Sequence, residues 1–195
     1  MSNYISLVFL FLTFLTKILA QEKGDVDYVF TNLQEASKAP LQVYHLDLSK
    51  QKLKEFPIVI FSFSNLKTLD LSKNKISFLP AEIENLELLV ELDLSNNKIG
   101  VLPPQIGKLE FLEKLYLEKN ELRALPAEIG ELQNLINLNL WSNELKKVPR
   151  EIENLRKLEV LNLRGMIFDQ IEIDKLDQLL PETKIFYPAN CNCGP

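Results

Sequence analysis

The sequence predicts an α/β solenoid: short parallel strands stacked into one curved sheet, with helical or 3-10 turns returning along the other side. Three observations predict it. Leucines recur with a 23-residue period through the middle of the chain. Each recurrence opens with a Leu-x-Leu alternation that suits a half-buried strand. Each then reaches a proline and an Ile-x-x-Leu spacing that suits a helical turn. A coil of this kind exposes an apolar face that it cannot cover alone, so neighbouring coils must stack.

The period is read from four segments: "LKTLDLSKNKISFLPAEIENL" (Leu66 to Leu86), "LVELDLSNNKIGVLPPQIGKL" (Leu89 to Leu109), "LEKLYLEKNELRALPAEIGEL" (Leu112 to Leu132) and "LINLNLWSNELKKVPREIENL" (Leu135 to Leu155). Leu46, Leu69, Leu92, Leu115, Leu138 and Leu161 are one position of the repeat. Pro57, Pro80, Pro103, Pro126 and Pro149 are another. In each strand the leucines, such as Leu69 and Leu71, point inward and their neighbours outward. The chain then turns, and the backbone groups leaving the ladder need new partners. Asn74, Asn97, Asn120 and Asn143 sit at that corner. A primary amide both donates and accepts, so these residues are expected to form a buried ladder bridging the backbone of their own coil and the next. Pro80 fits a first helical position, where its missing N–H costs nothing. Ile83 and Leu86 re-enter the core behind it.

These residues carry the resemblance. The L-x-x-L-x-L-x-x-N-x-L core with its L-P-x-x-I-x-x-L second half resembles the leucine-rich repeat (LRR) family, from Val43 to about Phe168. That implies a right-handed superhelix with a concave parallel sheet of about six strands, ~4.8 Å apart. The chain is similar to secreted bacterial LRR proteins of the spirochaete type, through its apolar leader, short N-terminal cap, "LDLS" first strand and "KIF" final strand. It also looks like the Ras-group and plant intracellular LRR scaffolds, through the L-P-x-x-I pattern.

The expected organisation is a signal peptide over 1–20, an N-terminal cap helix over 21–41, the solenoid over 42–168 and a C-terminal cap and tail over 169–195. Ile5 to Ala20 is almost wholly apolar but short for a bilayer span, and Ala20 suits the residue before a cleaved bond. No Lys or Arg precedes it, which leaves an uncleaved membrane anchor or a misplaced start as alternatives. Val26, Val29, Phe30, Leu33 and Ala36 read as one face of the cap helix. After the last repeat, "IDKLDQLLPETKIFYP" reads as a helix and a strand around Ile185 and Phe186. The pattern decays at both ends: Gln51 and Met166 stand where Asn belongs, and Glu172 where Pro belongs. Gly165 and Met166 leave the corner geometry of repeat six open.

Composition excludes several function classes. The net charge is −5 and no basic run interleaves with aromatics, so nucleic acid is not expected as a partner. One histidine, His45, cannot build a zinc site. Cys191 and Cys193, in "NCNCGP", suit a tail or cap stitch better than a metal site that nothing nearby completes. "GKL" at Gly107 to Leu109 lacks the rest of a phosphate loop. His45 and Asp47 share a strand face but no nucleophile joins them. No catalytic residues, cofactor or metal are therefore expected, and the chain reads as non-enzymatic.

The outward strand positions form three rows. The first is His45, Thr68, Glu91, Lys114, Asn137 and Val160; the second Asp47, Asp70, Asp93, Tyr116, Asn139 and Asn162. The third is Ser49, Ser72, Ser95, Glu118, Trp141 and Arg164. The one tryptophan therefore lies off the leucine spacing, on the open face, beside residue types that anchor interfaces. Its plain alternative is to cover neighbouring strands. The ligand-binding candidates are Trp141, Tyr116, Arg164, Glu118, Lys114 and Asn139, with Arg164 placed to lie against the indole. The column of Asp47, Asp70 and Asp93 repels itself and would attract a cation or a basic group. Nearby Lys50 and Lys73, and water, offset that repulsion without a bound ion.

The function expected is an exported protein-recognition module that binds a protein ligand through the concave face, as a monomer. The resemblance implies host cell-surface or matrix proteins as such ligands. Its place would be secreted, surface-bound or periplasmic, touching membrane only through the leader. The alternatives are a cytoplasmic LRR signalling scaffold and a glycan-binding LRR protein.

Overall fold

Leucine alternation and the 23-residue period build one sheet. In the computed structural model the residues described are 26–187. The apolar leader and Cys191 and Cys193 lie outside them. Eight parallel strands follow one another in chain order across the sheet: β1 Val29–Phe30, β2 His45–Asp47, β3 Thr68–Asp70, β4 Glu91–Asp93, β5 Lys114–Tyr116, β6 Asn137–Asn139, β7 Val160–Asn162 and β8 Lys184–Phe186. Registers are in phase, so Leu46, Leu69, Leu92, Leu115, Leu138 and Leu161 form one row, each at most 1% exposed. The six inner strands come from the repeats; β1 and β8 belong to the caps.

The return segments are 3-10 helices rather than α-helices. They span η1 Pro40–Gln42, η2 Ile58–Ser62, η3 Ala81–Asn85, η4 Pro104–Lys108, η5 Ala127–Glu131 and η6 Arg150–Asn154. The repeat prolines do not occupy the first helical position expected of them. Pro80, Pro103, Pro126 and Pro149 stand one residue earlier, in extended conformation. The ring fixes a φ compatible with an extended residue, and each proline carbonyl accepts the first helical bond, as Pro103 O does from Ile106 N–H at 3.0 Å. Pro40 and Pro104, which are not repeat prolines, do sit inside a helix, each at its start.

Close coil packing on this side depends on glycine. A Cβ on Gly130 would lie 2.3 Å from the Glu151 carbonyl oxygen, and one on Gly107 would lie 2.4 Å from that of Glu128. Both obstacles are backbone, so they cannot swing aside. Gly130→Ala is expected to wedge η5 from η6 and destabilise the fold by about 1–3 kcal/mol, the usual cost of overpacking. Chemical denaturation checks this; a neutral substitution would mean the coils yield freely.

The caps differ from expectation at one end. The N-terminal cap is not a helix from Val26. Val29 and Phe30 form β1, which pairs with His45 and Leu46 and so occupies the open edge of the first coil. Phe30 is buried and Val29 exposed, the two-residue alternation of a strand. Asn32 then opens a single turn, α1 Leu33–Ala36, by accepting the N–H groups of Gln34 and Glu35 at 2.8 and 3.2 Å. At the other end α2, Gln170–Leu179, is capped by Asp169 and leads into β8. Glu172, in the place of a repeat proline, accepts the Val148 N–H at 2.8 Å, while Lys175 donates to the Val148 carbonyl at 2.8 Å. The pair thereby binds both the N–H and the carbonyl of Val148 in the coil before it.

The corners follow a rule the composition concealed. Lys50, Lys73, Asn96, Lys119 and Ser142 have φ between 54° and 59°, and Gly165 has φ 75°. They are the same repeat position. Repeat six therefore keeps the regular left-handed corner despite Gly165 and Met166. At the first five of these corners the N–H also donates across to the next coil, as Lys119 does to the Trp141 carbonyl at 2.8 Å.

Beside each corner runs the asparagine ladder. Asn74, Asn97, Asn120 and Asn143 are 7–8% exposed. The Asn120 amide donates to the carbonyls of Leu94 and Leu117, at 2.9 and 3.1 Å, and accepts from Ile99 N–H at 2.9 Å. Leu94 and Ile99 belong to the preceding coil. The bridge thus runs backward from each asparagine, whereas the sequence suggested the coil ahead.

Candidate functional site: the concave face

The sheet register places the three outward rows side by side. His45 Nδ1 and Thr68 Oγ1 are 2.7 Å apart, and Lys114 Nζ meets Glu91 Oε2 at 3.0 Å. In the second row Asp47, Asp70 and Asp93 each accept the N–H of the serine two residues on, at 2.7–2.8 Å. Asn139 and Asn162 do the same for Trp141 and Arg164, at 3.2 and 3.3 Å. The aspartate column is therefore part of the corner: one oxygen of each carboxylate holds the chain where it leaves the strand. That local role explains the repeated "LDLS" without a ligand.

The C-terminal half of the face is aromatic and cationic. Trp141 lies just beyond β6 with 38% of its surface exposed. Arg164 does not cover it. The Lys119 ammonium lies 4.8 Å from the indole centre, while the Arg164 guanidinium lies over Phe186 at 5.2 Å and also donates to Asn162 Oδ1 at 3.1 Å. Lys184 stands over the same phenyl ring at 4.9 Å. The Gly165 corner approaches Trp141 so closely that a Cβ there would lie 3.2 Å from indole Cδ1. The indole is thus braced by Lys119 and the Gly165 backbone and remains partly exposed.

Sequence reasoning missed Phe186, Lys184 and Lys119 as members of this surface. Phe186 pairs with Asn162 and so extends the second row. Its spacing from Asn162 departs from the 23-residue period because α2 intervenes, and periodicity alone could not place it. Lys119 is a corner residue at positive φ, outside the three outward strand rows, so strand alternation did not point to it.

Two comparisons identify the family. "Leucine-rich repeat region" matches residues 91–180 and "Leucine rich repeat" matches residues 42–99. The chain is a leucine-rich-repeat protein. Among solved structures it is similar to an LRR protein of Leptospira interrogans, with 36% identity, TM-score 0.66, and coverage of 82% of this chain and 46% of that one. The spirochaete-type resemblance is thereby supported. It is similar too to the LRR ectodomain of the Arabidopsis thaliana membrane receptor kinase GASSHO1/SCHENGEN3, solved in complex with Casparian strip integrity factor 2. There the identity is 32%, the TM-score 0.62, and the coverage 74% of this chain and 18% of that one. An internalin of Listeria monocytogenes shares the fold, at 18% identity and TM-score 0.64, over 84% of this chain and 53% of that one. The LRR chain spans about half the length of the bacterial neighbours or less, and a smaller share of the plant receptor. No curated protein sequence matches it. Architecture of this kind generally serves protein–protein recognition rather than catalysis. No helix among the described residues is long and apolar enough to cross a membrane.

Charge on the LRR sheet is uneven. Burial pushes the Asp93 carboxyl above its usual range, and the nearby carboxylates of Asp70 and Glu91 push the same way. Burial also raises Glu118, again with Asp93 adding to it, and Glu118 Oε2 is shielded from solvent without a hydrogen-bond partner. A carboxyl raised by folding binds its proton more tightly in the native state. Each such group therefore adds stability as pH falls from neutral through its raised value towards the ordinary carboxylate value. Asp93→Asn should keep the bond to Ser95 N–H, as Asn139 and Asn162 keep theirs, and remove the repulsion. We expect a higher melting temperature at neutral pH and a gain that shrinks as pH falls through that window. A gain unchanged between pH 7 and pH 4 would contradict the electrostatic reading.

Proposed function

We propose that this chain is an exported, non-catalytic module that takes a protein ligand on the concave face, centred on Trp141. The observation that carries the reading is the position of that indole. A large aromatic side chain stands on the open face instead of in the core, braced by Lys119 and the Gly165 backbone and still 38% exposed. Fixed aromatic anchors beside arginine are typical interface hot spots, because little side-chain freedom remains to be lost on binding. Tyr116, Glu118, Lys114, Asn139 and Arg164 form the surrounding surface, joined by Phe186. The plant receptor neighbour, solved in complex with Casparian strip integrity factor 2, favours protein over glycan.

Since Trp141 is the one tryptophan, its emission reports on the site directly. The free protein should emit at long wavelength and shift to the blue on adding the partner. Unshifted emission with a partner bound at saturation would place the ligand elsewhere. Export carries a separate test: mass spectrometry of protein from the native cell should find Gln21 at the mature N-terminus. An intact Met1 on a soluble cytosolic species would contradict it.

A further inference from the structure

The repeat has another position whose substitutions are informative. In the turn after η2, Asn65 donates its amide to the Leu41 carbonyl at 2.7 Å, tying its coil to the one before. In the equivalent turn after η5, Asn134 does the same to the Glu110 carbonyl at 2.7 Å. Between them, at the same repeat position, stand Leu88 and Phe111. The two central coils thus lack the asparagine tie and instead present apolar side chains that are 40% and 52% exposed. Folding does not call for this exchange, since the flanking coils show the stabilising residue in place.

Leu88 and Phe111 line a cleft of about 420 Å³ together with Glu84, Glu87, Lys108 and Glu110. The one cation, Lys108, is already held by Glu131 at 3.1 Å. What remains is a mixed lining, two apolar side chains among three carboxylates, on the edge where the convex turns lead back into the sheet and away from Trp141. We propose that this cleft is a second docking surface, which takes a basic amphipathic segment of a partner protein. Its apolar side chain would seat between Leu88 and Phe111, and its lysine or arginine residues would face Glu84, Glu87 and Glu110. The charge complementarity selects the occupant: anionic membrane surfaces and a second copy of this acidic edge would both be repelled.

The test restores the repeat. A fluorescein-labelled amphipathic helix built from Leu and Lys is titrated against the full chain and followed by anisotropy. The variant Leu88→Asn with Phe111→Asn should keep its melting temperature near that of the wild type, because the asparagines regain the inter-coil ties. It should weaken the peptide at least tenfold. Phe78→Asn, at a still more exposed phenylalanine outside the cleft, should leave the titration unchanged. Glu84→Gln with Glu87→Gln should weaken binding and flatten its salt dependence. Any of three results would overturn the proposal: equal affinity for the restored variant, equal affinity for a Leu/Glu peptide, or self-association that the restored variant abolishes.

Discussion

Asn120→Ala is expected to lower stability by about 3 kcal/mol. The hydrogen bonds set the size. The Leu94 carbonyl also accepts from Asn97, and the Leu117 carbonyl also accepts from Asn143, so each keeps one donor after the change. The Ile99 N–H has no such reserve and is left buried without its acceptor. An orphaned buried donor costs about 1–3 kcal/mol, and two weakened carbonyls add roughly 1 kcal/mol more. For a domain of this size that corresponds to a melting temperature lower by about 6–12 °C. Asn139→Ala removes one 3.2 Å bond at an exposed corner and should cost under about 1 kcal/mol. Thermal melts that rank the two the other way would contradict the assignment of the ladder.

The second large effect is on binding. Trp141→Ala should weaken the concave-face partner by about 2 kcal/mol or more, roughly thirtyfold in affinity. Stability should fall by no more than about 1 kcal/mol, because the indole rests on an exposed lysine and a corner rather than in the core. Tyr116→Ala and Arg164→Ala should act in the same direction, and Ser49→Ala should not. A Trp141→Ala variant that unfolds, or that binds as tightly as the wild type, would make the indole a cover for its neighbouring strands.

The solenoid was legible because its determinants are local and repeated. Leu46 and its equivalents announce the strand, the asparagines the corner, and Ile83 with Leu86 the return. What was not legible has physical reasons. Proline fits both the first helical position and the extended residue before it, so Pro80 alone could not separate them. The N-terminal apolar spacing satisfies a helix; Val29 and Phe30 became a strand because the first coil offers an open sheet edge, a tertiary demand. The left-handed corner is hidden by its lysines, which are not the residues usually associated with positive φ. On the concave face the three rows were legible from register. The partner of each side chain was not, since whether Lys119 or Arg164 meets the indole depends on corner geometry and on Phe186, which arrives from beyond the repeats.

Hydroxyl-radical footprinting of the chain with its captured protein partner tests the central claim most directly. Trp141, Tyr116 and Phe186 are reactive side chains on the concave face, and Phe78 is a reactive, exposed control away from it. Concave-face recognition predicts strong protection at Trp141, with protection at Tyr116 and Phe186 and none at Phe78. Undiminished oxidation of Trp141 in the saturated complex would contradict it.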